Sequence, residues 1–365
     1  MMQIRKAPKT DAVYELLKGR IGAGAYAEGP LPVEPVLAGE LRVSRKTLRS
    51  ALSRLALENL IVRVKGEGTF VNRAAGRRKI LVVVRNAEDI TLPDRYILPG
   101  IQQQASEMNI AVETCTCLSL SAGPAEETVR RIRESNCCGI ISLESNFTGD
   151  EPLIAILKGT GLPVLLPHAY PRDAENTPFA VMGTDYHQVI RDGVQYLVNL
   201  GHRRIAYLAC GEHRISKNGY FQLLDELGLA GCRDLYVQAA SYNRKPDITA
   251  AVENLFSGPK EKLPTAVLCF SDFFAICLYE YLKLRGLRIP EDVAVLSIGG
   301  MIGCDFLTPP LSALSFDCAA IGRLAVRTLL EMEMKKELSR PFTVTPHYLS
   351  ERESTRKTTQ KESAR

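Results

Sequence analysis

The chain runs to 365 residues, 45% of them apolar and 24% charged, with a net charge of +5. That length exceeds a single hydrophobic core and points to two or three soluble domains. Its longest apolar runs, "ILVVV" and "AVLCF", are too short to span a bilayer, and no export leader is expected at its start.

Ten scattered cysteines form no C-x-x-C pair and are expected as reduced thiols, not as a disulfide frame or a zinc site. The charge is uneven. Residues 1–79 carry 16 Lys and Arg against 7 Asp and Glu, while the rest carries 30 against 34. A basic head on a mildly acidic body implies a polyanionic partner for the head. No amphipathic helix with bulky apolar anchors points to a membrane.

In chain order, "DAVYELLKGRI" places Val13, Leu16, Leu17 and Ile21 at helical spacing. "VEPVLAGEL" gives a second stripe of Leu37, Ala38 and Leu41, with Pro35 tolerated in its first turn. After the "RVS" turn, Ser44 can cap a third helix. Leu48, Ala51, Leu52 and Leu55 are its apolar stripe, and Arg45, Lys46, Arg49, Ser50 and Ser53 its cationic ridge. "LIVRV" and "TFV" read as short strands joined by "KGEG", where Gly66 and Gly68 permit positive φ and Lys65 stands at the tip.

Three helices and a two-stranded wing predict a winged helix-turn-helix of α+β class. Its third helix would enter the major groove, with phosphate contacts fixing the register. An arginine there can pair with a guanine edge through two hydrogen bonds. An isolated basic amphipathic helix is usually a solvated face; here cap, turn, wing and charge excess agree. The glycines of "GAGAYAEG" follow a helix, not a strand, so a dinucleotide loop lacks its context.

The stretch from "IGAGAYAEGPLP" through "VSRKTLRSAL" to "GEGTFV" resembles the DNA-binding domain of the GntR family, whose three characteristic blocks occur in order over some fifty residues. The resemblance implies that Arg45, Thr47 and Arg49 read or clamp DNA, and that Gly66 lets the wing backbone approach it closely. Where that family has L-P-S-E-R, this chain has "LPVEP". Val33 replaces the serine cap and Pro35 the phosphate-binding arginine, so that contact is absent or moved to Arg42.

"NRAAGRRK" is polar and basic, as expected of a linker. The expected division is a head of residues 1–73, a linker of 74–79, a body of 80–350 and a basic, disordered tail of 351–365. In the body, apolar strands alternate with helices in two successive sets, which predicts two α/β lobes with a ligand crevice between them. "MGTDYHQVIRDGVQYLVNLGHRRIAYL" and "PTAVLCFSDFFAICLYEYLKLRGLRIPEDVAVLSI" resemble the LacI/GalR family, and the similarity covers residues 78–354. It implies a two-lobed fold of the type I periplasmic-binding-protein kind that binds an effector and dimerises. Head and body together resemble the arabinose-repressor subgroup of GntR proteins.

The crevice departs from that pattern. Where the family sets an arginine, an Asn or Asp next to an Asp, and a further aspartate on a sugar, this chain has Ser216, Ser271 beside Asp272, and Gly299. A neutral sugar needs polar groups for its hydroxyls, so losing these disfavours one. Arg214 and Lys217 could receive an acidic or phosphorylated sugar instead, or ligand control could be lost. Asp185 and His168 are weaker pocket candidates, more readily structural.

Five separate histidines and no P-loop, H-E-x-x-H or G-x-S-x-G context argue against an enzyme. The expected protein is a cytoplasmic, homodimeric, sequence-specific regulator, a repressor of carbohydrate-related genes on a palindromic duplex, gated by a small molecule and using no cofactor or metal. The rival expectation is a DNA binder that is constitutive or controlled by a protein partner.

Overall fold

The computed structural model describes residues 9–22, 25–26, 29–58, 60–64, 66–71, 78–85, 94–212 and 214–356. In the head, α1 (Lys9–Gly22), α2 (Glu34–Glu40) and α3 (Arg45–Leu57) pack against a hairpin of β1 (Ile61–Val64) and β2 (Gly68–Val71). The hairpin is antiparallel, pairing Ile61 with Val71 and Val64 with Gly68. Tyr14, Leu17, Leu37, Leu48, Leu55 and Ile61 form the core. Leu16, expected in the α1 stripe, is 48% exposed. The buried stripe runs instead through Val13, Tyr14 and Leu17, because the Tyr14 ring offers more area to bury. The Arg54 guanidinium lies 3.8 Å over that ring, whose hydroxyl donates to Glu58.

The first lobe of the body contains β3 (Lys79–Val84), β4 (Ala111–Thr116), β5 (Cys137–Ser142), β6 (Val164–Ala169) and β7 (Ala180–Gly183). They lie in the order β7-β6-β5-β3-β4, all parallel. Between them run α4 (Asp94–Glu107), α5 (Cys117–Ser121), α6 (Ala125–Arg133), α7 (Pro152–Gly159) and α8 (Asp173–Asn176). The second lobe repeats the plan with β8 (Ile205–Cys210), β9 (Tyr236–Ala239), β10 (Ala266–Cys269), β11 (Ala294–Gly299) and β12 (Ser312–Ser315). Its parallel order is β12-β11-β10-β8-β9. α9 (Tyr186–Asn199), α10 (Lys217–Glu226), α11 (Lys245–Leu255) and α12 (Asp272–Leu284) accompany those strands. The strands read as continuous apolar runs because helices cover both faces of each sheet.

The chain then returns. α13 (Cys318–Lys335) crosses back and packs along α4, β13 (Thr343–Val344) joins β7 in parallel, and β14 (Tyr348–Ser350) closes the second sheet antiparallel to β12. Three connections therefore join the lobes: β7 to α9, β12 to α13, and β13 to β14. At the α4–α13 crossing the backbones nearly touch. A Cβ built on Gly322 would lie 2.3 Å from the Ile97 carbonyl oxygen, and one on Gly100 would lie 2.1 Å from that of Ala319.

Two expectations need adjustment. Lys79, placed in the linker, is the first residue of β3, and residues 74–77 lie outside the described residues. Residues 351–356, placed in a disordered tail, are packed. Ser354 is fully buried and donates to the Val295 carbonyl at 2.6 Å. Thr355 meets the hydroxyls of Ser312 and Tyr196, each at 2.8 Å. Short polar side chains carry no apolar periodicity, yet here they satisfy the ends of the second sheet. Residues 357–365 lie outside the described residues. All ten cysteines are free thiols. Among the described residues no helix is long and apolar enough to cross a membrane, and no His, Cys, Asp and Glu cluster could hold a metal.

Candidate DNA interface and interlobe cleft

Ser44 caps α3: its Oγ accepts from the Thr47 backbone N–H at 3.1 Å and meets Thr47 Oγ1 at 2.8 Å. Leu48, Ala51, Leu52 and Leu55 pin the opposite face into the core, so Arg45, Lys46 and Arg49 stand exposed on one ridge and Thr47 is half-buried. Gly66 and Gly68 take φ of 87° and 124°, where a side chain is strained, and a Cβ on Gly68 would press on Pro30 at 3.3 Å. Lys65, expected at the wing tip, lies outside the described residues. Arg42 is exposed in the turn between α2 and α3, with φ of 49°. Val33 precedes α2 with no side-chain cap, as the substituted motif implies.

Sequence reasoning missed Glu34. Its carboxylate accepts from Arg49 at 3.1 Å through Nε and 2.7 Å through Nη2, and Arg63 stands 3.9 Å away. The Arg49 hydrogen bond holds the Glu34 carboxyl below the usual carboxylate range. Glu34 and Arg49 are fifteen positions apart, and only the α2–α3 crossing joins them.

The second candidate site is a cavity of about 220 Å³ between the lobes. It lies at the carboxyl ends of the strands, where open α/β sheets hold their ligands. His168 from the end of β6, Arg214 from the loop after β8, Ser271 and Asp272 at the start of α12, and Gly299 at the end of β11 all line it. The other candidates do not. Ser216 caps α10 by accepting from the Gly219 N–H at 3.0 Å, and Asp185 caps α9 by accepting from Gln188 at 3.1 Å. Lys217 is exposed, with its ammonium 5.6 Å from the Phe221 ring. Ser216 and Asp185 each open a helix, where the nearest backbone N–H groups claim a short polar side chain.

Asp272 lines the cavity with its acceptors already engaged. It receives the Ser297 hydroxyl at 2.5 Å, the Gly300 N–H at 3.1 Å and the Met301 N–H at 2.8 Å. Gly299 is required there, since a Cβ would lie 2.7 Å from Asp272 Oδ2. Arg214 is stacked, with its guanidinium carbon 3.8 Å over the Phe270 ring and 4.5 Å over Tyr186. It donates through Nη1 to the Phe270 carbonyl oxygen and shares a hydrogen bond with Tyr170, while its buried Nε has no partner. His168 Nε2 lies 3.4 Å from the Tyr186 hydroxyl, and its buried Nδ1 has none. Burial, with Arg214 nearby, pushes His168 down to about 4, so it is neutral at pH 7. The remaining walls include Tyr96, Tyr186, Phe273, Ile276, Leu307 and Phe316. In sequence these look like ordinary core residues, which hid them. His202 is buried with Nδ1 3.0 Å from the Thr265 hydroxyl.

Comparison with known proteins agrees with this division. Residues 9–71 match "Bacterial regulatory proteins, gntR family", and residues 194–355 match "Periplasmic binding protein-like domain". The arabinose metabolism transcriptional repressor of Geobacillus stearothermophilus is 22% identical over 354 residues, 87% of this chain and 89% of that protein. Catabolite control protein A of Priestia megaterium is 28% identical over 223 residues, 60% of this chain and 64% of that one. Among solved structures, a transcriptional regulator CelR–cellobiose complex superposes with a TM-score of 0.61 at 20% identity, covering 95% of this chain and 100% of the other. The lac repressor dimer bound to operator gives 0.60 at 18% identity, covering 76% and 94%. The chain joins a gntR-type helix-turn-helix head to a two-sheet α/β body of the periplasmic-binding-protein kind.

Proposed function

We propose that this protein is a sequence-specific DNA-binding transcriptional regulator, a cytoplasmic repressor whose grip on DNA is set by a small molecule held between its two lobes. The observation that carries the reading is the exposed ridge of Arg45, Lys46 and Arg49 on a capped helix beside a glycine-turned wing. That ridge presents forked donors to base edges and charge to phosphate. The arabinose metabolism transcriptional repressor among its relatives supports the direction of control and a role in carbohydrate-related genes. Three inter-lobe connections support gating, because closing the cleft on a ligand moves the lobes against each other.

A second copy of the chain is the expected partner. Ile302 and Phe306 stand 67% and 80% exposed on one 3₁₀ turn, an apolar pair that a second copy would cover. Two heads would then place their α3 helices in successive major grooves of a palindromic site.

The test is selection of duplexes from a randomised pool, followed by footprinting of the selected site and sedimentation of the complex. A palindromic footprint that Arg45→Ala abolishes supports the reading; recovery of no preferred sequence overturns it. The engaged oxygens of Asp272 favour a second reading, a regulator that no longer senses a neutral sugar. Effector and DNA must alter each other's affinity by the same factor in the gated protein and not in the ungated one.

A further inference from the structure

We infer that the interlobe cleft is shaped for a small, mostly apolar carboxylic acid, aromatic or branched aliphatic, and not for a neutral sugar. This rests on the cleft being the effector site.

The polar inventory comes first. A sugar needs side chains that both give to and take from several hydroxyls, and a buried group left unpaired is costly. Asp272 has spent its oxygens on Ser297, Gly300 and Met301, and Gly299 contributes no side chain. Ser216 and Asp185 serve as helix caps away from the cavity. Among the described residues lining the cavity, the buried polar atoms left without a partner are Arg214 Nε and His168 Nδ1, with the hydroxyls of Ser271 and Tyr96 beside them.

Both suit an anion. Arg214 makes no ion pair with a described residue, so its charge enters the cleft uncompensated by a carboxylate. Two aromatic faces fix the plane of the guanidinium, which aims its donors at a set position. The Tyr186 hydroxyl can donate to His168 Nε2, which leaves the proton of the neutral imidazole on Nδ1. Arg214 Nε–H and His168 Nδ1–H are then two donors for the oxygens of one carboxylate.

The walls decide the rest of the molecule. Phe273, Ile276, Leu307 and Phe316 line the cavity with carbon, and the Phe316 ring stands edge-on to His168 at 5.9 Å. Sugar hydroxyls would be stripped of water against these surfaces without replacement partners. A ring or a branched chain would bury favourably. The volume, about 220 Å³, is below the roughly 300–1,000 Å³ of sites for drug-sized ligands, so the acid is small.

The experiment is thermal unfolding of the full chain with benzoate, phenylacetate and isovalerate, each beside its uncharged amide, and with arabinose, cellobiose and inorganic phosphate. At least one acid is expected to raise the melting temperature by several degrees at saturating concentration while its amide does not. Arg214→Met is expected to erase that shift. Should that variant fold poorly, the acid–amide contrast on the unaltered chain still decides. An equal shift from acid and amide overturns the proposal, because the charge would not be recognised. A shift from a sugar or phosphate alone, or from nothing in the panel, overturns it as well. Binding to the selected duplex, measured on the same samples, separates the two failures: intact sequence preference without an acid response sinks only the ligand class, whereas lost preference sinks the regulator itself.

Discussion

Glu34 holds Arg49 by two hydrogen bonds, 3.1 Å to Nε and 2.7 Å to Nη2, across the contact between α2 and α3. An arginine on the exposed ridge of α3 is thus already oriented by a carboxylate on the neighbouring helix. An exposed pair of this kind adds little to stability, since solvent screens it and Arg49 is 65% exposed. Its consequence is directional: the guanidinium is presented in one plane, and a negative charge sits close to where phosphates would lie.

Those two effects separate by mutation. Glu34→Gln removes the charge, so affinity for unrelated duplexes is expected to rise while the preference for the selected site falls. Arg49→Ala is expected to cost about 1–3 kcal/mol of discrimination, roughly five- to 150-fold. Fluorescence anisotropy with selected and scrambled duplexes at one salt concentration measures both. A parallel loss on both duplexes in Glu34→Gln would show that the carboxylate does not orient the arginine.

The cap of α3 is the second test. Ser44→Ala leaves the Thr47 N–H without its acceptor and is expected to cost the head about 1 kcal/mol. Ser44→Asp, another good cap, should restore stability while weakening duplex binding through its charge. Urea titration and anisotropy of the two variants distinguish a cap from a direct DNA contact.

These head features were legible because each is local. Cap, stripe and ridge of α3 all fall within thirteen residues, and the wing glycines announce a turn only glycine makes easily. Leu16 was misplaced because Val13, Tyr14 and Leu17 already fill the α1 stripe. The cleft was less legible for a related reason. Ser216 and Asp185 occupy motif positions that suggest ligand contact, but both open helices whose N–H groups capture them. Asp272 finds its partners 25 to 29 positions later, a distance no local pattern reports. Tyr186 and Phe316 look like core aromatics until three inter-lobe connections bring them to one cavity.

The α4–α13 crossing predicts intolerance of a single methyl. In Gly322→Ala the new carbon would meet the Ile97 carbonyl oxygen at 2.3 Å, and backbone cannot swing aside as a side chain can. Prising the helices apart is expected to cost about 1–3 kcal/mol, as overpacked cores do. Gly231→Ala, with nothing within 4 Å of the added carbon, is the matched control and should be neutral or slightly stabilising. Equal melting temperatures for both variants would mean that the crossing relaxes freely.

His168 predicts a pH dependence with a definite sign. Burial pushes it down from 6.5 to about 4, so the unfolded chain takes up a proton that the folded chain refuses. The folded state therefore loses stability as pH falls from 6.5 towards 4, with no contribution from this group above about pH 7.5. His168→Leu should flatten that part of the profile and leave the alkaline side in parallel with the original. Parallel profiles through the acid range would place His168 in water.

Asp272 distinguishes a ligand contact from a clamp. A residue that exists to bind an effector can be changed with little effect on the empty protein. Here its carboxylate gathers the Ser297 hydroxyl and the N–H groups of Gly300 and Met301, and so fixes the bend that follows β11. Asp272→Ala strands three donors, and leaving even one unpaired in a buried site costs about 1–3 kcal/mol. A drop of several degrees in melting temperature is expected without any ligand present. Asp272→Asn keeps one acceptor oxygen and should fall between the two. If both variants instead melt like the parent and differ only in effector affinity, Asp272 is a ligand residue after all, and the apolar character assigned to the cleft would have to be redrawn around it.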